Sequence, residues 1–125
     1  MFAKIATATV ATGIALLAAS TSASASPQIT KTLVPGEQWC IGQYAYFQAR
    51  GDGMATNQGA KFKLQYNGVT IPWTGSPGLV TNWAAEVRSS LGTFPGAGYY
   101  SACATNNGTM NTKVTLQIRT DGEFY

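Results

Sequence analysis

The 125-residue chain contains no histidine. That removes the commonest general base, every serine–histidine–acid or cysteine–histidine constellation, and histidine-ligated zinc. Charge is scarce too, with eight basic and five acidic residues making up 10% of the chain. No basic cluster of the kind that nucleic acid demands is present. Lys61 and Lys63, the densest basic pair, read as the solvated face of a strand. Glu37, Asp52, Glu86, Asp121 and Glu123 are the only acids. A glycosidase needs two carboxylates facing each other across a cleft, and no spacing in the chain requires Asp52 and Glu86 to meet. Asp121-Gly122-Glu123 lacks the spaced oxygen ligands of a calcium loop. No catalytic residue, metal site or cofactor is expected, and the chain reads as a non-enzyme.

Long hydrophobic runs are equally scarce. The one apolar stretch covers residues 5–17, after the single charge of Lys4. It is shorter than the roughly 20 residues that span a bilayer. A polar, small-residue tail follows and ends in Ala23-Ser24-Ala25, an A-x-A cleavage signal. Residues 1–25 are therefore read as a secretory signal peptide, and 26–125 as one mature domain outside the cell. The leader resembles those of secreted Gram-positive bacterial proteins. With no lipid-accepting cysteine at the cleavage point, no membrane anchor is expected after processing.

The mature chain has two cysteines, Cys40 and Cys103. In a secreted chain a lone pair reads as one disulfide. Closing a loop of this length is worth roughly 4 kcal/mol in the chain-entropy model. That matters in a domain small enough to have little stability to spare.

What the sequence does have is β grammar at short intervals. Residues 60–67 alternate, with Phe62, Leu64 and Tyr66 on one face and Lys61, Lys63 and Gln65 on the other. Asn67-Gly68 then supplies a two-residue type I′ hairpin turn. Val69, Ile71 and Trp73 resume the apolar face, and Pro72 places that return strand at an edge. The same pattern recurs at residues 99–105, Asn107-Gly108 and 113–119, with Val114, Leu116 and Ile118 inward. Residues 38–50 are apolar on both faces and read as one long strand covered on both sides, with Gly42 as a candidate bulge. Residues 29–34 form a weaker first strand, ended by Pro35-Gly36. Residues 79–91 fit a helix and a strand alike, with Gly92 a plausible helix stop and the β neighbours favouring strand.

These elements predict an all-β fold: a small antiparallel β-sandwich of six to seven strands, immunoglobulin-like or jelly-roll-like in architecture, with one disulfide. The immunoglobulin family itself does not fit. No tryptophan follows Cys40 at the expected place, and Ser101 stands where the corner tyrosine should be. The run Gly98-Tyr99-Tyr100-Ser101-Ala102-Cys103 followed by Val114-Thr115-Leu116-Gln117-Ile118 resembles the closing hairpin of small β-sandwich domains appended to secreted bacterial hydrolases.

Arg50-Gly51-Asp52 spells an integrin-recognition tripeptide, read here as strand-end turn chemistry on a plausible loop tip. Aromatics are the remaining enrichment. Most must fill the core, but Trp73, Trp83, Tyr99 and Tyr100 are candidates for surface contact. In a regular strand one ring of the Tyr99/Tyr100 pair must point outward. The function expected is a secreted, non-catalytic binding module. Its partner would be a protein, or a polysaccharide or cell-envelope polymer, met by exposed aromatics and loops. An adaptor subunit or small proteinaceous inhibitor is the alternative. In size and layout the chain is similar to adaptor subunits of secreted umbrella-type toxin particles, and residues 26–34 could donate a strand to another chain's sheet edge.

Overall fold

The computed structural model describes residues 26–124; residues 1–25, where the signal peptide is expected, lie outside them. The described residues form eight strands in two antiparallel four-stranded sheets. The first sheet contains β1 (Ile29–Leu33), β8 (Thr112–Thr120), β3 (Ala49–Ala55) and β6 (Asn82–Glu86), in that spatial order. The second contains β2 (Gln38–Ala45), β7 (Gly98–Thr105), β4 (Lys61–Tyr66) and β5 (Val69–Thr70). One short helix, α1 (Val87–Leu91), and a closing 3-10 turn (Asp121–Phe124) complete the described chain. The expected all-β sandwich is therefore observed, with one or two more strands than the sequence pattern suggested.

Two alternating strands supply much of the core. Phe62 and Leu64 of β4 and Val114, Leu116 and Ile118 of β8 all point inward and are buried. Tyr100, Ala102 and Ala104 of β7 complete the inner face of the second sheet. β3 contributes almost no bulk. A Cβ on Gly51 would run into Leu64 and Trp83, and one on Gly53 into the ring of Phe62. Large side chains from other strands fill the space that these glycines leave.

Several local expectations are met. Asn67 and Gly68 both adopt positive φ (49° and 85°), as a type I′ turn requires, and join β4 to β5 at the sheet edge. The favoured strand over residues 79–91 holds only for β6; one helical turn, α1, follows it and is stopped by Gly92 at φ 85°.

Others need correction. Residues 38–50 are not one central strand. β2 is an edge strand of the second sheet, and β3 an interior strand of the first. The chain changes sheet at Tyr46, Phe47 and Gln48, which is why apolar residues fall on both apparent faces. Asp121 holds this corner: its carboxylate accepts the backbone N–H groups of Tyr46, Phe47 and Gln48 at 2.8–3.1 Å. Gly42 makes no bulge, because its ladder with β7 is continuous.

Asn107-Gly108 is likewise no hairpin turn. β7 and β8 lie in different sheets, and the buried Asn106 amide anchors the crossover by donating to the Leu33 and Met110 carbonyls. The resemblance to a closing hairpin fails with it. β1 pairs along its length with β8 of its own chain and is the outermost strand of its sheet, so one of its two edges is engaged. Arg50-Gly51-Asp52 lies mid-strand in β3, not at a loop tip.

Candidate functional site

The disulfide sets out the surface that matters. Cys40 and Cys103 are bonded directly across β2 and β7, with Cα atoms 4.1 Å apart. In an antiparallel pair each step forward from one is matched by a step back from the other. Two steps bring Gly42 opposite Ser101, and four bring Tyr44 opposite Tyr99. All of these share the outer face of the second sheet, because side chains two apart share a face.

The result is a patch of three tyrosines at one end of that face. Tyr44 and Tyr99 form the cross-strand pair and are each about half exposed. Tyr46, 69% exposed, meets Tyr44 edge-on with ring centroids 5.0 Å apart and planes at 64°. Gly42 is the floor: a Cβ there would run into the Tyr99 ring and the Ser101 hydroxyl. The backbone of Tyr99 is clasped by the β4–β5 turn. Its N–H donates to Asn67 Oδ1 at 2.9 Å, and its carbonyl accepts the Asn67 N–H at 2.7 Å. Phe47, also partly exposed, follows Tyr46 in the corner held by Asp121.

The four aromatics singled out from sequence divide three ways. Tyr99 points outward, as one of the 99/100 pair had to. Tyr100 is fully buried, packed against Tyr66 at 4.8 Å and Phe94 at 5.1 Å, with its hydroxyl donating to the Gly96 carbonyl at 2.7 Å. Burial, with the Tyr66 phenol adding to it, pushes the Tyr100 pKa up to about 12. Trp83 is half-buried, stacked parallel on Phe62 at 5.3 Å, and its indole N–H donates to the Thr74 carbonyl. Tyr100 and Trp83 thus hold the sandwich together.

Trp73 is 82% exposed and has φ 68°, a conformation unfavourable for a bulky residue. Thr74 pins the loop around it: its hydroxyl donates to the Ile71 carbonyl and accepts the Leu64 N–H. Trp73 follows β5, two strands away from β7, and stands apart from the tyrosine patch. Tyr44 and Tyr46 were not anticipated as surface residues. Their signal was the register of the disulfide, which becomes usable once the two cysteines are known to sit on neighbouring strands.

The first sheet offers a contrasting surface, an open groove of about 520 Å³ lined by Asp52, Met54, Asn82, Gln117 and Arg119. Its charges neutralise one another. Asp52 receives Arg50 and Arg119, each at 3.1 Å. The Asp52 carboxylate is thereby occupied by two guanidinium groups, and Glu86 lies opposite Arg50. Among the described residues no three potential metal ligands come together, and both cysteines are in the disulfide.

No protein-family model matches this chain, and no curated protein matches its sequence. Its chemistry has to be argued from its own surfaces. The tyrosine patch is cross-linked at its base by the disulfide and exposes rings that are apolar but hydroxyl-tipped.

Proposed function

We propose that this chain is a secreted, non-catalytic binding module whose partner is a protein, held through Tyr44, Tyr46 and Tyr99. The observation that carries this reading is the exposed tyrosine trio on a disulfide-linked strand pair. Tyrosine gives a large contact area for the loss of only two side-chain torsions and is enriched in the residues that dominate protein interfaces. The edge-on geometry of Tyr44 and Tyr46 makes a relief of ridges and clefts. Such relief suits side chains of a partner better than the flat face of a sugar ring. The disulfide and the Asn67 clasp keep the patch in its bound shape beforehand, which lowers the entropy lost on association.

Extracellular placement is supported by the leader at residues 1–25 and by the disulfide, which persists in oxidising compartments. No helix among the described residues is long and apolar enough to cross a membrane. An adaptor subunit and a proteinaceous inhibitor are the two kinds of protein contact that fit this reading.

A polysaccharide or envelope polymer is a second reading. It is favoured by Trp73, whose exposed indole is presented by a pinned loop. The test is the native size of the protein in culture medium, with mass spectrometry of the peak. A complex that dissociates in the Tyr44→Ser/Tyr99→Ser double variant supports a protein partner. A monomer that binds insoluble glycans, and loses them with Trp73→Ala, favours the second reading. A monomer that binds neither proteins nor glycans overturns both.

A further inference from the structure

Glu123 is a carboxylate without a cationic side chain. Among the described residues Lys31 pairs with Glu37, and Arg50 and Arg119 pair with Asp52, leaving Glu123 with neutral donors. These donors converge on it from three parts of the fold. The Thr120 N–H at the end of β8 lies 2.8 Å from Oε1, and the Gln43 amide of β2 lies 3.1 Å from it. The remaining partner is Ser26. Its backbone nitrogen donates to Glu123 Oε2, and its hydroxyl lies 2.9 Å from the same oxygen. The Ser26 hydroxyl also meets Gln43 Oε1, and the Ser26 carbonyl accepts the Gln117 amide at 2.7 Å. Every polar group of Ser26 is therefore engaged, in a socket made by both sheets and the closing 3-10 turn.

Ser26 is also the residue that follows Ala23-Ser24-Ala25. We propose that cleavage after Ala25 creates an α-ammonium group at Ser26 that docks on Glu123 as its counter-ion, fastening the first strand across the edges of both sheets. A leader-removing peptidase hydrolyses the Ala25–Ser26 amide with one water, leaving a carboxylate on Ala25 and the ammonium on Ser26. In the uncleaved chain the same nitrogen offers one neutral N–H; in the cleaved chain it offers a full charge and three protons. The site thus distinguishes processed from unprocessed protein by charge at a single atom. The inference rests on removal of residues 1–25 and is independent of what the tyrosine patch binds.

Glu123 is suited to the role. Burial alone would raise its pKa, but the hydrogen bonds from Thr120, Ser26 and Gln43 outweigh that and hold it below its ordinary value. It is therefore ionised from about pH 4.5 upward, and over that range up to the amine's own pKa the two groups carry opposite charge.

The experiment uses protein recovered from the medium after expression of the full chain. Mass spectrometry identifies its first residue, and acetic anhydride labelling across a pH series gives the midpoint of the N-terminal amine. The expected result is a chain beginning at Ser26, with a midpoint at least one unit, or tenfold in proton affinity, above the usual value of about 8. Glu123→Gln should return the midpoint to that ordinary value. A mature chain carrying one extra alanine before Ser26 should do the same, and serves as the comparison if Glu123→Gln fails to fold. A first residue other than Ser26, or an ordinary midpoint in the wild type, overturns the proposal.

Discussion

Gly42 lies directly beneath the ring of Tyr99. The contact links an edge-strand glycine to the tyrosine patch, and it can be broken without touching the core. Gly42 has no unusual backbone conformation, so alanine is tolerated there by the chain itself. The added methyl must push Tyr99 and the Ser101 hydroxyl aside, and Tyr99 is free to move outward. We expect Gly42→Ala to change stability by no more than about 1 kcal/mol, since overpacking and the reduced freedom of the unfolded chain oppose each other. Partner affinity should fall at least tenfold. Thermal melts alongside a binding titration check this; unchanged affinity would remove Tyr99 from the contact surface.

The corner between β2 and β3 depends on one carboxylate. Asp121 takes three successive N–H groups, and its own φ of 48° is a conformation that aspartate and asparagine tolerate better than most residues. Asp121→Ala strips the acceptor from all three donors and adds backbone strain. A loss of about 2–4 kcal/mol is expected, with a fall in Tm of more than about 10 °C for a domain of this size. Asp121→Asn keeps an acceptor and the backbone preference, and should lose less than half as much. Urea denaturation of the two variants side by side separates these outcomes.

That corner also shows where reading the sequence stops. The alternation of residues 60–67 and 113–119, the Asn67-Gly68 turn and the outward position of one of Tyr99 and Tyr100 are local patterns, and they could be read locally. Sheet membership is not local. The pattern of residues 38–50 is the sum of two strands with different partners, and only the long-range bonds from Asp121 reveal the break. β3 was hidden for a related reason: its inward positions are glycine and alanine, because Phe62 and Trp83 supply the bulk from elsewhere. A strand whose apolar face is donated by its neighbours carries no apolar period of its own. The tyrosine patch was half legible: alternation puts one of Tyr99 and Tyr100 outward without saying which, and Tyr44 needs the register of the disulfide.

Arg50-Gly51-Asp52 owes its composition to the same strand. Gly51 faces the core, where a Cβ would meet Leu64 and Trp83. Arg50 and Asp52 face outward and pair with each other, and Arg119 joins them from β8. Asp52→Ala leaves two guanidinium groups side by side with no carboxylate between them. These side chains are about one-third exposed, so solvent screening limits the effect to about 1 kcal/mol, and added salt should shrink it further. In an integrin-dependent cell-adhesion assay, the wild type and Asp52→Glu should support equally little attachment. Attachment by the wild type that Asp52→Glu abolishes would give the tripeptide an adhesive role that its position in mid-strand does not suggest.

Stability should fall away at both ends of the pH scale, for different reasons. Tyr100 keeps its phenol proton up to about pH 12 in the folded state, whereas the unfolded chain releases it near 10. Its contribution is fully present below pH 10 and is lost as pH rises from 10 to 12. A two-unit difference corresponds to at most about 2.7 kcal/mol. On the acid side the order reverses. The hydrogen bond from Lys31 holds Glu37 below its ordinary value of 4.5, and the hydrogen bonds at Glu123 hold that carboxylate below 4.5 as well. Their contributions are present above pH 4.5 and are lost as pH falls through the lower folded values. Tyr100→Phe separates the two limbs. It removes the alkaline loss along with the Gly96 hydrogen bond, so the melting temperature at pH 7 should drop slightly while its slope between pH 10 and 12 flattens. Melts at half-unit intervals from pH 3 to 12 would show this; an unchanged alkaline slope in Tyr100→Phe would assign the loss to other groups.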